Sequence, residues 1–148
     1  MSPDNPPEFR REALGLLARA PVARLAELLP DLPDHQPLRA AETGTVMVRG
    51  RAGGTGAAFN LGEMTVTRAS VRLTESGTVG HGYVQGRDKA HALRAAVADA
   101  MGQDDASLLE TKVLDPLRKD ETARRAAIAA EAAKTRVEFF TLVRGEDE

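Results

Sequence analysis

The spacing of apolar residues changes twice along this chain, and that change constrains the fold more than any other feature. Up to about residue 32, and again after Asp88, apolar residues recur at helical spacing. Residues 37–87 instead carry β-branched residues in alternation with polar ones. Helical zones at both ends of a strand zone are typical of an α+β fold. Because no internal repeat or low-complexity linker separates the zones, we predict a single domain over residues 1–148.

The first zone predicts an N-terminal helical hairpin. Asn5-Pro6-Pro7 precedes one amphipathic run that ends at Pro21, and a second, shorter run follows it up to Pro30. Proline is favoured at the start of a helix and breaks a helix interior, so these prolines mark the helix boundaries. The two helices are expected to pack against the rest of the chain.

The middle zone predicts an antiparallel sheet of three or four strands. Val46 and Val48 alternate with polar residues, and residues 64–73 are β-branched with a period of two. Glu75-Ser76-Gly77 is a turn signal, and residues 78–85 then form the returning strand of a hairpin. Between the first two strands, the segment Arg51–Gly62 is predicted to be a long glycine-rich loop.

The last zone predicts helices, one of them long. Asp88 is the expected N-cap of a helix that runs to Met101. A shorter element over residues 105–118 is expected to be interrupted by Pro116. Residues 119–143 predict one long helix, rich in alanine, glutamate and arginine, that becomes apolar towards its end. Its apolar residues there are Val137, Phe139, Phe140, Leu142 and Val143.

Aromatic residues are scarce for a chain of this length. The 148 residues include no tryptophan, one tyrosine and four phenylalanines, and much of the apolar content is alanine. Since aromatic side chains bury the largest area per residue, the core is expected to be thin. Two interpretations stay open: a modestly stable monomer of closely packed helices, or a subunit that completes its core against a partner.

Several classes of function are excluded or disfavoured by composition. The chain has no cysteine, which excludes disulfides, thiolate metal ligands and cysteine nucleophiles and fits the cytoplasm, the location that we predict. No apolar run reaches the roughly 20 residues that cross a bilayer. The net charge is −2, so the chain lacks the excess of positive charge that is typical of nucleic-acid-binding proteins. We therefore predict neither a membrane nor a nucleic-acid partner.

The glycine-rich centre is the strongest candidate site. Residues 36–87 hold six arginines against three acids, and several of these arginines lie near the glycines. Glycine permits positive φ angles and a close approach, and consecutive N–H groups can bind an anion. No nucleotide-binding fingerprint occurs, so partner contact and direct phosphate binding both stay open. The candidate residues are Arg49, Arg51, Gly53, Gly54, Gly56 and Arg68.

No pattern in the sequence predicts catalysis, a metal site or a bound cofactor. His35, His81 and His91 lack a second histidine or an acid at metal-binding spacing, and each is expected to be structural. The glycines on both sides of His81 are expected to leave room beside its ring. No serine lies in a nucleophile-elbow motif. We therefore predict no catalytic, cofactor-binding or metal-binding residue.

Four blocks of this sequence resemble the G subunit of the bacterial carbon–phosphorus lyase complex, the PhnG family. The blocks are Arg39–Gly56, Thr65–Leu73, Gly86–Lys89 and Arg136–Gly145, and they occur in the family's order. The resemblance covers nearly the whole chain and is loosest over the first thirty or so residues.

The resemblance implies an accessory, structural subunit that is not an enzyme on its own. Family members join the H, I and J subunits in a symmetric core with two copies of each. With the H, I and L proteins they are needed when an alkylphosphonate displaces adenine from ATP, giving ribose 1-alkylphosphonate 5-triphosphate. The nucleosidase-like activity resides in the I subunit, and the J subunit holds an iron–sulfur cluster for the later radical cleavage. ATP is therefore expected as a substrate of the complex, with no cofactor bound by this chain alone.

Two alternatives to a structural role stay open. Arg51 or Arg68 would hold phosphate in an active site shared with partner subunits, or the chain would be an unrelated small anion-binding module. A further expectation is that the isolated chain forms a homo-oligomer if its partner-binding face is apolar.

Overall fold

The computed structural model describes residues 7–134, which form helices and an antiparallel sheet. Three-stranded pairing and a long C-terminal helix confirm the predicted α+β fold. A 3₁₀ turn over Ala52–Gly54 and a π-helical segment over Glu110–Leu114 complete the elements. In chain order the helices and strands are α1 (Pro7–Arg19), α2 (Val22–Leu28), β1 (His35–Arg51), β2 (Ala58–Leu73), β3 (Val79–Gln85), α3 (Lys89–Asp104), α4 (Ala106–Leu109) and α5 (Asp115–Lys134).

The chain divides into two compact units, residues 1–118 and residues 119–148. The first unit contains the sheet and helices α1–α4. The described part of the second unit is the remainder of α5, in which Glu121 is half-buried and pairs with Arg125 at 2.6 Å. The other side chains of α5 from Lys119 onward are exposed. None of the helices within residues 7–134 has the length and apolarity that a membrane crossing requires.

The three strands pair in the order β1-β2-β3, but they differ greatly in length. β3 pairs with β2 over Val66–Arg72. The remainder of β2, from Thr65 back to Ala58, pairs with β1 and with no third strand in the described residues. Residues 45–65 therefore form a two-stranded ribbon that extends beyond β3, and we name this ribbon the β arm.

The loop at the end of the β arm is shorter than predicted. Ala58–Gly62 belongs to β2, so the connection covers residues 52–57 in place of the predicted Arg51–Gly62. The register moves from Val48 opposite Gly62 to Arg49 opposite Asn60, which leaves Leu61 as an extra residue in a bulge. This bulge interrupts the alternation of side chains, and for that reason the sequence pattern does not identify the strand.

Helix α3 lies unusually close to the sheet. Gly80 and Gly82 face it from β3, and a Cβ atom on either glycine would overlap the α3 backbone, 2.6 Å from Ala100 N and 2.8 Å from Ala96 N respectively. Ala92, Ala96 and Ala100 on the facing side of α3 allow the same approach, because a small side chain keeps little volume between the two backbones. The two glycines therefore allow α3 to pack closely on β3. The His81 ring lies on the opposite face of the sheet, so the absent glycine side chains do not provide the expected room beside it.

The core is built from leucine, valine and alanine. No aromatic side chain among residues 8–134 is fully buried, and Phe9 packs against the core while only partly buried. The most deeply buried core residues come from α1, from α2 and the residue that follows it, from both later strands and from the following helical segments. The larger of these are Leu17, Leu25, Leu29, Val71, Val84, Val97, Leu109, Val113 and Leu114.

The predicted helix start at Asp88 is observed, whereas the predicted helix break at Pro116 is not. The Asp88 carboxylate accepts the backbone N–H of His91 at 2.8 Å, which confirms the predicted N-cap of α3. The predicted break at Pro116 is wrong, because helical backbone continues from Ala106 to Lys134. Pro116 has no N–H for the carbonyl four residues earlier, and the π-helical segment immediately before α5 accommodates that loss. The predicted residues 135–143 of the long helix lie outside the described residues.

Candidate partner-binding site

The tip of the β arm folds tightly on its glycines. Gly53 and Gly54 have φ angles of 60° and 77°, in the left-handed region that favours glycine. The Gly56 N–H donates to the Ala52 carbonyl at 3.1 Å, and the Arg51 guanidinium donates to the Gly56 carbonyl at 3.4 Å. The Gly56 N–H is thus engaged within the turn, and the primary task of these glycines is to reverse the chain.

Arg49 and Arg51 flank this tip on the same strand. Both are exposed, and because they lie two positions apart on β1 their side chains project from one face of the arm. The residues opposite them on β2 are Asn60 and Ala58, neither of which carries a charge. No acidic residue occurs between Glu42 and Glu63. The distal end of the β arm, residues 48–62, is therefore positively charged and contains no carboxylate, the acid of the arm being Glu63 opposite Met47.

Arg68, the remaining sequence candidate, lies apart from this group. It pairs with Tyr83 in the ladder, whereas Arg51 pairs with Ala58, ten positions earlier on β2. At about 3.3 Å per residue the two arginines are about 33 Å apart along the strand. Alternation along β1 also places Arg51 and Glu42, the acid that Arg68 contacts, on opposite faces. The structure thus brings Arg49, Arg51 and the three candidate glycines together and does not bring Arg68 to them.

Arg68 takes part in a small ion network at the base of the β arm. Its Nε lies 2.7 Å from Glu42 Oε1, and Arg39 Nη1 lies 2.8 Å from the same oxygen. These hydrogen bonds, with Arg39 first and Arg68 second, lower the pKa of the Glu42 carboxyl below its usual value. The network gives Arg68 a structural partner.

The Glu42 network makes a pH-dependent prediction. Because the pKa of Glu42 is lower in the folded chain, its contribution to stability is present above the unfolded-state pKa and is lost as the pH falls through the folded-state pKa. Arg39→Ala and Arg68→Ala should each move the Glu42 pKa back towards its usual value. Carbon-13 NMR titration of the side-chain carboxyl measures this. An unchanged titration in both variants would contradict the assignment, and Arg72→Ala is the matched control.

The β arm also exposes three large apolar side chains that the sequence analysis did not single out. Met47 is 53% exposed, Phe59 is 45% exposed and Leu61 is 62% exposed. Leu61 projects from the bulge over Gly50, where an added Cβ would lie 2.6 Å from its Cδ1 atom. The alternation of residues 58–65, obscured by the bulge, is the signal that would have identified Phe59 and Leu61. Positive charge and exposed apolar surface together are the chemistry of a protein-binding site.

The histidines have structural partners. The His91 Nε2 donates to the Leu17 carbonyl at 2.9 Å in the core and ties α3 to α1. His35 Nδ1 lies 2.8 Å from the Pro33 carbonyl, and His81 Nδ1 lies 2.9 Å from Ser70 Oγ across the sheet. Over residues 7–134, no three histidine, aspartate or glutamate side chains are grouped so that they would hold a metal ion.

Comparison with known proteins assigns the chain to a family. The sequence model of the family described as "Phosphonate metabolism protein PhnG" matches residues 8–145. A protein of Rhizobium meliloti (strain 1021), named alpha-D-ribose 1-methylphosphonate 5-triphosphate synthase subunit PhnG, is 49% identical over 144 residues. The alignment covers 93% of this chain and 90% of the relative. This chain therefore belongs to the PhnG family of phosphonate metabolism proteins.

Proposed function

We propose that the chain is an accessory subunit of an alpha-D-ribose 1-methylphosphonate 5-triphosphate synthase and holds its partners through the β arm. The similarity to the Rhizobium meliloti subunit, which extends over 93% of this chain, carries the proposal. The assembly transfers the ribose 5-triphosphate moiety of ATP to an alkylphosphonate and releases adenine. The H, I and J subunits are the proposed partners, with a functional link to the L protein, and the cytoplasm is the proposed location.

The β arm supports a binding role for physical reasons. A two-stranded ribbon with no further cover is marginally stable in water, because it buries little apolar surface. Over residues 45–65 no side chain is fully buried, and three large apolar side chains are about half exposed or more. A partner that covers the arm would remove this surface from water, at about 25 cal/mol for each Å² of apolar area.

Within this proposal the chain supplies no catalytic residue and binds no cofactor alone. ATP is a substrate of the assembly as a whole. The chemistry then belongs to the partner subunits, and the contribution of this chain is to complete and hold the assembly.

The apolar residues of the β arm provide the test. We expect the double variant Phe59→Asp, Leu61→Asp to weaken association with the co-expressed partner subunits by about 30-fold or more, because apolar anchors at the centre of an interface commonly contribute ~2 kcal/mol. Stability of the isolated chain should change by no more than about 0.5 kcal/mol, since both positions are exposed. Co-purification and thermal unfolding measure the two effects.

The control is Leu108→Asp, which changes a side chain of similar exposure on α4, outside the β arm. It should leave the assembly intact. Recovery of the full assembly with the double variant would show that the arm is not the contact surface. Undiminished synthase turnover by the other subunits without this chain would overturn the accessory role itself.

A further inference from the structure

The two edges of the sheet differ in how their backbone groups are used. At β3, the Asp99 carboxylate accepts the His81 N–H at 2.8 Å, and the Gln103 side-chain amide donates to the Val79 carbonyl at 2.8 Å. Two side chains of α3 therefore occupy the outer edge of β3. Among the described residues, no strand pairs with the outer edge of β1.

The open edge of β1 is long and regular over its distal half. β1 spans 17 residues, His35–Arg51. Near its start Pro37 has no N–H, and the register shifts at two points between Pro37 and Glu42. Beyond Glu42 the strand has no further irregularity before Val48. An unpaired edge of this length is a template for another strand.

We propose that the outer edge of β1 over residues 42–51 takes up an extended segment of another protein as a fourth strand, and that this segment carries acidic side chains opposite Arg49 and Arg51. The inference rests on the proposed function, since it names how a partner subunit docks. It goes further in specifying backbone pairing and the charge of the partner segment.

The charge of the edge determines what the added strand must carry. Arg49 and Arg51 project from the same face, and their neighbours on the paired side, Asn60 and Ala58, are uncharged. The other cross-strand position beside each arginine belongs to the added strand. Directly opposite side chains of unlike charge stabilise a sheet, so carboxylates at alternate positions fit this edge.

A second copy of this chain does not meet that requirement. In a two-fold antiparallel pair of β1 strands each residue keeps its face, so the arginines would meet odd-numbered residues such as Thr43, Thr45 and Met47. None of these is acidic. Glu42, the acid within β1, lies on the opposite face and is engaged by Arg39 and Arg68. The complementary acids must therefore come from a different protein.

Strand addition would also complete the β arm. A third strand beside β1 turns the two-stranded ribbon into a three-stranded sheet and pairs the outward N–H and C=O groups of residues 42–51. Three strands with cover on an apolar face are the smallest sheet with independent stability. Pairing of the backbone and burial of Met47 would then occur in the same event.

Hydrogen exchange of the full chain, alone and in complex with the co-expressed partner subunits, tests the backbone pairing. We expect alternate amides of residues 42–51 to exchange more slowly in the complex, with rates reduced by about tenfold or more. The remaining amides of this stretch are already protected by pairing with β2. Docking on a face of the arm without strand addition would leave the outward amides exchanging at their rate in the free chain.

Charge reversal tests the chemistry of the partner segment. The variant Arg49→Glu, Arg51→Glu should weaken association with the partner subunits by about tenfold or more, because two attractive cross-strand pairs become repulsive. The matched control is Arg72→Glu, an exposed arginine of β2 away from this edge, which should leave association unchanged. Thermal unfolding of each isolated variant separates a binding defect from a folding defect.

Each outcome bears on one claim. Slowed exchange at the β1 edge together with the charge-reversal defect supports strand addition. An intact complex with an unprotected β1 edge overturns the inference and leaves the accessory role standing, whereas absence of any complex overturns that role.

Protection of the same amides in a dimer of the isolated chain identifies a second copy as the occupant. Normal association with lost turnover in the arginine variant places Arg49 and Arg51 at the substrate and also overturns the inference.

Discussion

Replacing Gly80 or Gly82 by alanine is expected to lower the free energy of unfolding by ~3 kcal/mol or more. A Cβ atom at Gly80 would lie 2.6 Å from Ala100 N and closer still to the Ala96 carbonyl oxygen, and one at Gly82 would lie 2.8 Å from Ala96 N. These neighbours are backbone atoms of α3, which cannot rotate away as a side chain would. The whole helix has to move, and overpacking that displaces backbone commonly costs 1–3 kcal/mol, sometimes more.

Urea denaturation of the isolated chain measures this effect, and the midpoint of thermal unfolding should fall by roughly 10 °C or more. Gly44→Ala is the matched control. A Cβ at Gly44 has no atom within 4 Å and its φ angle is not positive, so its stability should stay within about 0.5 kcal/mol of the parent. Equal stability of the Gly80, Gly82 and Gly44 variants would show that α3 does not pack this closely on β3.

Replacing Asp99 by alanine is expected to have the second largest effect, ~2–3 kcal/mol. The Asp99 side chain is 2% exposed, and it accepts hydrogen bonds from Arg10 Nε at 2.9 Å and Nη2 at 2.8 Å. It also accepts the His81 N–H, so a single carboxylate joins α1, β3 and α3. Its removal leaves that N–H and the guanidinium without their acceptor, which is costly in a buried site.

The expected value lies at the lower end of the range for buried ion pairs because Arg10 is 34% exposed and water takes over part of the lost interaction. Asp99→Asn, which keeps an acceptor oxygen, should cost less than Asp99→Ala. Glu27→Ala is the control, since it breaks an exposed pair with Arg24 and should change stability by less than about 0.5 kcal/mol. A loss for Asp99→Ala as small as this control would show that the contact contributes little.

Local sequence signals were sufficient for most element types and several boundaries. Asp88 caps α3 because its short carboxylate side chain reaches the N–H three residues later, which depends on neighbours in the chain alone. Gly77 has a φ angle of 74° in the turn between β2 and β3, and glycine is the residue that adopts this angle at little cost. The first helix of the predicted hairpin ends just before Pro21 for an equally local reason.

Local sequence patterns did not predict those features that depend on contacts between segments far apart in the chain. The sequence pattern predicts a loop over Ala58–Gly62, because the bulge that interrupts the alternation of this strand exists only in register with β1. The sequence gives no signal for Asp99, since its partner Arg10 is 89 residues away and nothing near either residue marks the pair. Composition alone groups Arg68 with Arg51, although the ladder places them about 33 Å apart.

By itself, the sequence determined the fold class, the order of helices and strands, a glycine-rich connection between the first two strands beside Arg49 and Arg51, and, through four blocks of residues, the family. These depend on periodicity, capping and turn chemistry, which act between residues close along the chain. The tertiary structure alone decided that α3 packs closely on Gly80 and Gly82, that Asp99 covers the edge of β3, and that no strand within residues 7–134 pairs with the outer edge of β1. These depend on which segments meet in space, and pairing between distant strands and helices leaves no periodic trace in either segment.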